Sequence, residues 1–334
     1  MESTPISICS QGVDMRVTNA HTSTGLTKSV TLNGWKRQPK DERDEAYRLK
    51  LHGAYSARPA SADLRAFCSP IEDQADIGSC TANAAAALIE SNEIRAGRKL
   101  SDALGAAAQV SVSNVITAAD GSITFTAKVV PATVDPTPAP TPTQPLVHVS
   151  RLFEYYATRL LEGTTSYDSG AYIRDAIKAM AKYGVVTETM WPYVTSQFAA
   201  NPPSAVWTEA AKHKISSYHS IADGDLESMK VAISQGSLIE FGFDVYSAFM
   251  TPDMASKGLL CRPKATETLE GGHAVVLCGY DDTKIMPDGS VGAFLVRNSW
   301  GTAWGLKGYY WMTYNYVGDT KLASDFWVVV SQPF

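Results

Sequence analysis

The hydrophobic pattern changes from helical to strand-like along the chain, and this change constrains the fold most strongly. Helical patterns occupy residues 150–162 and 169–183, and a glycine follows each of them. From residue 238 onward the pattern becomes strand-rich. The predicted strands lie at residues 238–243, 273–280, 293–298, 308–313 and 326–330. Helices first and strands later predict an α+β protein with two unlike halves.

A run of small residues predicts one more helix, ahead of the others. It begins at Cys80 and contains alanines at positions 84–87. Alanine is the best helix former, and Ser79 is a suitable N-cap. Gly97 and the basic pair after it suit a helix end. We therefore expect a helix over residues 80–96, and its small apolar start indicates that it lies inside the core.

Residues 99–149 look like an insertion into this scheme. Apolar and polar residues alternate over residues 109–130, and Asp120-Gly121 separates the two runs, which predicts a β-hairpin. Six prolines within residues 131–145 then predict a stiff, extended linker. A tolerated surface insertion explains this stretch, and a guard at a cleft edge or a docking element is the alternative.

The N-terminal residues 1–58 form a polar extension with a charge-dense run at 36–50. One interpretation is a loosely packed tail with a solvated turn or short helix. The other is a segment that lies over a functional cleft. The start lacks the basic and then apolar pattern of a secretory signal, so we expect a cytoplasmic location or secretion by a non-classical route.

Length and charge exclude several classes of protein. The chain has 334 residues, which suggests one large or two medium domains. Lysine and arginine total 29 against 34 aspartates and glutamates, so the net charge is −5. Neither a nucleic-acid partner nor a membrane surface is expected from this balance. No apolar run approaches the ~20 residues of a membrane span.

The cysteines do not predict a disulfide framework or a zinc site. Their number is odd and none stands in a C-x-x-C pair. At least one thiol is therefore free in a monomer, and no motif indicates a metal or another cofactor. Which of the others pair with each other stays open. The five are Cys9, Cys68, Cys80, Cys261 and Cys278.

Cys80 is the first candidate for chemistry. At the predicted start of a helix, the dipole and the unpaired N–H groups favour an anion, so the thiol pKa is expected to fall. A nucleophilic cysteine also needs a base. His273 differs from the other five histidines because it follows two glycines and opens an apolar strand. Taken alone, each residue is also compatible with a purely structural role.

Two further side chains complete a possible acyl-transfer site. Asn298 ends a predicted strand and is suited to orienting the His273 ring. Trp300 follows closely and would shield an Asn–His hydrogen bond from water. Gln74 lies six residues before Cys80, and its amide with the Cys80 backbone N–H would supply two oxyanion donors.

In this order, the segments resemble those of papain-like cysteine peptidases. The nucleophile segment of the family is matched by Pro70-Ile71-Glu72-Asp73-Gln74 and Gly78-Ser79-Cys80. Its histidine segment resembles Gly272-His273-Ala274-Val275. Its asparagine segment closely resembles Arg297-Asn298-Ser299-Trp300-Gly301-Thr302-Ala303-Trp304-Gly305. The resemblance covers about residues 60–330, apart from the insertion.

The resemblance implies a two-lobe fold within residues 59–334. A helical lobe, mainly residues 75–200, would carry Cys80, and an antiparallel β-barrel-like lobe, mainly residues 205–334, would carry the other two triad members. The cleft would run between the lobes. The implied triad is Cys80, His273 and Asn298, with Cys80 and His273 at rest as a thiolate–imidazolium pair.

The resemblance also implies a substrate-binding wall. Its members are Gly170, Ala171, Tyr172, Ile173, Gly272 and Trp300. A main specificity pocket would lie between Tyr172-Ile173 and Gly271-Gly272 and would suit apolar side chains. Asp325 is a candidate to place a charge in that pocket.

The chain also departs from the family pattern. Ile77 stands where the family usually has a disulfide cysteine, and Thr81 stands where it has an aromatic residue. His273 and Asn298 lie 193 and 218 residues after Cys80, farther than usual, and the insertion accounts for most of the excess. These traits suggest a bacterial-type, disulfide-free branch.

Three functions remain to be weighed. The first is an endopeptidase that takes polypeptide substrates and is inhibited by its own N-terminal segment. The second is an aminopeptidase or acyl transferase on the same fold, which the triad cannot distinguish from the first. The third is a non-catalytic binding module, against which the complete set of four site residues argues.

Overall fold

The computed structural model describes residues 16–44, 46, 58–106, 110–117, 123–129 and 148–330. Seven α-helices lie in this part of the chain: α1 Cys80–Ala106, α2 Arg151–Glu162, α3 Ile173–Lys182, α4 Ser204–Ala210, α5 Leu226–Ser234, α6 Pro252–Lys257 and α7 Tyr314–Val317. Among the described residues, no helix is both long and apolar enough to cross a membrane.

Twelve strands lie in the same described residues. They are β1 Arg16–His21, β2 Thr27–Leu32, β3 Ser61–Asp63, β4 Val110–Thr117, β5 Ile123–Val129, β6 Ser217–Ile221, β7 Ile239–Tyr246, β8 Leu259–Leu260, β9 Leu269–Ile285, β10 Val291–Arg297, β11 Tyr309–Thr313 and β12 Ala323–Val330. The main sheet has the order β6-β12-β7-β9-β10-β11-β8, with β3 also paired to β9. Its pairs are antiparallel except β8 with β11.

The helical half packs against this sheet through α1. The helix contacts α2 and α3 on one side and strands β7, β9 and β12 on the other. Its first eleven residues, from Cys80 to Glu90, are all buried. Small side chains allow this close approach, because alanines at the helix start leave room for the sheet. The start of α1 therefore lies where the two unlike halves meet.

Two hairpins stand apart from the main sheet. The predicted hairpin in the insertion is confirmed, since β4 pairs antiparallel with β5. The proline-rich stretch at 131–145 lies outside the described residues. In the N-terminal extension, β1 pairs antiparallel with β2, where the sequence predicted at most a turn or short helix.

Several predicted boundaries were wrong. Helix α1 continues past Gly97 to Ala106, because a glycine lowers helix propensity without ending a helix by itself. Strand β9 spans Leu269–Ile285, so it begins before and ends after the predicted strand 273–280, and it forms a long antiparallel hairpin with β10. The α+β class is confirmed, but no pairing among the described strands closes the sheet into a barrel.

Candidate active site

Cys80 lies at the first turn of α1, directly against strand β9. Its side chain is fully buried. The sulfur accepts a hydrogen bond from the backbone N–H of Ala274 at 3.4 Å. Ala274 directly follows His273, so packing α1 on β9 brings the predicted nucleophile beside the predicted base.

His273 and Asn298 are joined by a hydrogen bond. The distance from His273 Nε2 to Asn298 Oδ1 is 2.8 Å. Asn298 Oδ1 also accepts the backbone N–H of Ser299 at 2.8 Å, so this oxygen is an acceptor and Nε2 carries the proton. The other ring nitrogen, Nδ1, is buried and has no hydrogen-bond partner among the described residues. The ring therefore has a free acceptor atom.

Trp300 covers this pair. Its ring centroid lies 5.0 Å from that of His273, with the two planes inclined by 31°. Only 1% of Trp300 is exposed, so water does not reach the Asn–His hydrogen bond from that side. Shielding of this kind strengthens a hydrogen bond.

Gln74 is held on the loop that leads to α1. Its side chain is fully buried. Oε1 accepts the Ser299 hydroxyl at 2.7 Å, and Nε2 donates to the Ile77 carbonyl at 3.2 Å. The amide orientation is thus fixed, with nitrogen toward the loop before Cys80. One N–H of Nε2 remains beyond this contact.

The electrostatics of the pair differ from the sequence prediction. Burial raises the pKa of the Cys80 thiol to about 12, and burial lowers the pKa of His273 to about 4. Both groups are neutral between these values. The expectations of a lowered thiol pKa and of a thiolate–imidazolium pair are therefore wrong for this closed arrangement, because desolvation outweighs the helix dipole.

The burial comes from the N-terminal extension, which crosses the site after strand β2. The backbone of Gly34 lies over the Cys80 sulfur. A Cβ atom built on Gly34 would be 2.7 Å from the sulfur and 2.7 Å from the Gly78 carbonyl. Only glycine fits at this contact without displacement of its neighbours.

The same segment is hydrogen-bonded to both walls of the cleft. Asn33 N donates to Gly272 O at 2.9 Å, and Asn33 Oδ1 accepts from Gly272 N at 3.0 Å. On the opposite wall, Ala171 N donates to Gly34 O at 2.8 Å, and Lys36 N donates to Ala171 O at 3.1 Å. This second pair of bonds forms a parallel bridge.

The other residues of the predicted wall differ in their positions. Gly170 has φ +62°, and a Cβ there would lie 2.6 Å from the Asn33 and Gly34 carbonyl oxygens. The Tyr172 ring lies under the Lys36 ammonium at 5.3 Å from its centroid. Ile173 begins α3 and is fully buried in the main core cluster, which also contains Trp35.

Trp35 fills a pocket in the sheet half. Its ring occupies the space that side chains on Gly242 and Gly272 would need. A Cβ on Gly242 would lie 1.9 Å from the nearest ring atom, and a Cβ on Gly272 would lie 2.8 Å from the nearest ring atom. Its Nε1 donates to Asp325 Oδ2 at 2.9 Å, and the same oxygen accepts Gln38 N at 3.1 Å. Burial raises the pKa of Asp325 to about 6.

Sequence reasoning missed Gly34, Trp35 and Gly242. The available signal was the Asn-Gly-Trp triplet at 33–35 within an otherwise polar stretch. A tryptophan there indicates a buried anchor, but its pocket lies about two hundred residues away in the sequence.

Ion pairs and hydroxyl contacts hold the rest of the extension. Arg174 binds Asp44 at 2.6 Å, and Lys36 binds Glu162 at 2.7 Å. In the hairpin, the Thr31 hydroxyl donates to the Asp76 carbonyl at 2.6 Å. The described part of the extension is thus attached to both halves of the molecule.

One group of side chains has the spacing of metal ligands. Ligand atoms of Glu72, Glu90 and His148 all lie within 4.8 Å of one another. However, Arg151 Nε lies 3.2 Å from Glu72 Oε1 and supplies a positive charge there. Two carboxyls beside a guanidinium are explained as an ion-pair cluster, so the group does not require a metal.

Comparison with known proteins identifies the class. The family model described as papain family cysteine protease matches residues 161–330, just over half of the chain. The chain therefore belongs to the papain family of cysteine proteases, which are hydrolases. An uncharacterized peptidase C1-like protein of Acanthamoeba polyphaga mimivirus is 41% identical over 187 residues, covering 54% of this chain and 58% of that protein.

Further relatives extend the likeness. A cathepsin L-like proteinase of Fasciola hepatica is 28% identical over 149 residues, 44% of this chain and 41% of its own length. The chain thus spans about half the length of these curated relatives. The crystal structure of xylellain, a cysteine protease from Xylella fastidiosa, is 30% identical, with TM-score 0.69, and covers 94% of this chain and 98% of that one. A procathepsin B from Trypanosoma congolense shares the fold, with TM-score 0.60 at 15% identity and coverage of 90% and 87%.

Proposed function

We propose that this chain is a cysteine endopeptidase that uses Cys80, His273 and Asn298, and that its N-terminal extension keeps it inactive. The observation that carries the proposal is the pairing of His273 with Asn298 beneath Trp300. That pairing leaves His273 Nδ1 free beside the residue whose N–H binds the Cys80 sulfur. A base oriented in this way next to a thiol is the arrangement required for nucleophilic catalysis.

The reaction begins once the extension has left and water has returned. His273 Nδ1 takes the Cys80 proton, and the sulfur attacks the scissile carbonyl carbon. The Cys80 backbone N–H and Gln74 Nε2 stabilise the resulting oxyanion, and loss of one such donor costs about 2.7–4 kcal/mol in comparable sites. His273 then gives its proton to the leaving amine, which leaves an acyl-enzyme.

The second half of the reaction reverses these roles. Water replaces the amine, and His273 removes a proton from it as it attacks the acyl carbonyl. Breakdown of that intermediate frees the peptide acid and restores the Cys80 thiol. Asn298 acts as a positioning residue throughout, since its carbonyl oxygen holds the His273 ring in the tautomer with hydrogen on Nε2.

Inhibition follows from the contacts of the extension. Asn33, Gly34 and Lys36 bond to backbone groups of Ala171 and Gly272, which an extended polypeptide substrate would need for itself. Gly34 excludes any carbonyl group from the Cys80 sulfur. The N-terminal extension and a polypeptide substrate therefore compete for one cleft. The procathepsin structures among the structural neighbours are likewise structures of proforms.

The Trp35 pocket is proposed as the main specificity pocket of the released enzyme. Its walls accept a large flat side chain because Gly242 and Gly272 lack Cβ atoms. Gly272 and Asp325, both expected at this pocket from the sequence, lie beside the Trp35 ring. Polypeptides with a bulky apolar side chain at this point are the expected substrates.

The test compares the full chain with a chain that begins at Ala57, each incubated with a long unstructured polypeptide. We expect internal cleavage by the shorter chain, little by the full chain and none by the shorter chain carrying Cys80→Ala. Mass spectrometry of the products separates the alternatives. Stepwise loss of N-terminal residues would indicate an aminopeptidase, and absence of cleavage by the shorter chain would contradict the proposal.

A further inference from the structure

Two other thiols meet outside the cleft. Cys68 follows a short 3-10 turn, Arg65–Phe67, and is partly exposed, whereas Cys278 lies on β9 and is fully buried. Both contact Leu64. The Cys68 thiol donates to the Leu64 carbonyl at 3.6 Å, and Leu64 N donates to the Cys278 carbonyl at 2.8 Å.

The strand register explains this meeting. Strand β3 pairs with β9 so that Asp63 lies opposite Gly279. Asp63 directly precedes Leu64, and Gly279 directly follows Cys278. The chain then turns through the 3-10 segment and brings the Cys68 side chain back toward β9. The Cys68 and Cys278 side chains interact there, although the two residues lie 210 positions apart in the sequence.

The surroundings favour a thiolate at Cys68. The neighbouring Cys278 side chain is the main cause that lowers the pKa of Cys68, and the Arg297 guanidinium and the Tyr309 hydroxyl add to this effect. Together they lower the pKa of Cys68 to about 7, against the opposing effect of burial. Arg297 is fixed in place because it donates to the Ser69 carbonyl at 2.5 Å and to the Pro70 carbonyl at 2.9 Å.

Cys278 has the opposite character. Burial, together with the neighbouring Cys68, raises its pKa well above the ordinary value, so it stays a protonated thiol. An accessible thiolate next to a buried thiol is the arrangement of an oxidisable cysteine with a resolving partner. We propose that Cys68 and Cys278 form a redox-active pair, in which a peroxide oxidises Cys68 and Cys278 closes a disulfide.

The chemistry has two steps and a peroxide as the oxidant. The Cys68 thiolate attacks one peroxide oxygen, the O–O bond breaks, and the departing oxygen takes a proton and leaves as water or an alcohol. The resulting sulfenic acid is attacked by Cys278 sulfur, which loses its proton. The S–O bond breaks and the hydroxide leaves as water. Overall, two thiols lose two electrons and two protons, and the peroxide is reduced.

This pair is separate from the proposed nucleophile. Gly34 covers the Cys80 sulfur, whereas part of Cys68 reaches solvent. A disulfide here would tie the segment that leads to Gln74 to the strand that carries His273. The inference does not rest on the proposed peptidase activity, and its test needs no substrate.

The experiment treats the full chain with one equivalent of hydrogen peroxide at about pH 7, blocks free thiols with iodoacetamide and maps the peptides by mass. We expect a peptide containing Cys68 linked to one containing Cys278, lighter by two hydrogens and separated again by dithiothreitol. Cys261→Ser is the matched control and should form the same link. Cys68→Ser should abolish it.

A second variant tests the order of the steps. In Cys278→Ala the sulfenic acid has no resolving partner, so dimedone should label Cys68 in place of the link. The unmodified chain keeps the proposal falsifiable if this variant does not fold. Absence of both the link and dimedone labelling in the unmodified chain, or a disulfide to any other cysteine instead, would overturn the proposal.

Discussion

Cys80 and Cys68 are two thiols of one chain in opposite surroundings. Cys80 has the better position for an anion, at the start of a long helix, yet burial holds its pKa at about 12. Cys68 follows only a short turn, yet the Cys278 thiol and the Arg297 guanidinium lower its pKa to about 7. Local solvation and donors thus decide reactivity more than the helix does.

The difference agrees with the role proposed for the N-terminal extension. The group most suited to nucleophilic chemistry is neutral because residues 33–36 exclude water from it. In the proposed released form, the desolvation of Cys80 is relieved and the helix start can lower the thiol pKa as the sequence predicts. Reactivity of Cys80 is therefore expected to depend on the cover, whereas that of Cys68 is not.

The largest expected effect separates the two thiols by activity. In the chain that begins at Ala57, Cys80→Ala should lower kcat/KM for peptide hydrolysis by roughly 10⁴–10⁶-fold, since it removes the nucleophile. Cys68→Ala in the same chain should leave the rate within a few-fold. The rates are measured by steady-state kinetics with an internally quenched peptide. Hydrolysis retained by the Cys80 variant would contradict the role of Cys80 as the nucleophile.

The oxyanion donor is expected to have the next largest effect. Gln74→Ala should lower kcat by roughly 10²–10³-fold with little change in KM, because the amide acts in the transition state. Gln74→Glu is a useful companion, since it keeps the shape but removes the donor. A fall in kcat/KM that comes from KM alone would show that Gln74 serves binding instead.

Removal of the buried anchor of the extension should expose Cys80 in the full chain. Truncation of a buried tryptophan costs about 3–5 kcal/mol, so Trp35→Ala should raise the alkylation rate of Cys80 by roughly 10²–10⁴-fold if that loss falls on the closed state. Arg43→Ala, which removes an exposed ion pair of the same segment, is the matched control. Equal Cys80 rates in both variants would show that the Trp35 pocket does not hold the cover.

The pH dependence of alkylation should distinguish the two thiols directly. In the full chain, iodoacetamide labelling of Cys68 should rise about tenfold per pH unit below pH 7 and level off above it, as the thiolate fraction grows. Cys80 should stay nearly unlabelled over the same range, because its pKa of about 12 keeps it protonated. A Cys80 rate that rises through pH 7 would contradict the closed arrangement.

The smallest effect is expected at Asp325. Its pKa is raised to about 6 in the closed form by burial, while Arg37 opposes and Asp223 adds to the shift. A raised pKa means that the closed form holds the proton more tightly, so closure should be strongest below about pH 4 and weaken as pH rises through about 6. Asp325→Asn should remove this dependence, which is measured as a change of roughly a few-fold in Cys80 alkylation across this pH range.

The sequence was most informative where chemistry and chain order coincide. The block from Asn298 to Gly305 and the helix start at Cys80 predicted two of the proposed site residues, and the structure brings both to the junction of the halves. Each of these segments is short and continuous, so residue types alone define it.

What the sequence did not predict depends on distant contacts. Gly242 and Gly272 leave the space in which the Trp35 ring is buried. Residues near Trp35 in the sequence do not indicate that this space exists. The meeting of Cys68 with Cys278 likewise depends on the pairing of β3 with β9. Desolvation of Cys80 has the same origin, since the residues that bury it lie far from it in the sequence.

The most direct test of the central claim labels the full chain and the chain beginning at Ala57 with an epoxysuccinyl thiol reagent at about pH 5–6, followed by peptide mapping. The account predicts selective labelling of Cys80 in the shorter chain and little labelling of Cys80 in the full chain. Equal labelling of Cys80 in both would contradict inhibition by the extension, and no labelling of Cys80 in the shorter chain would contradict its role as the nucleophile.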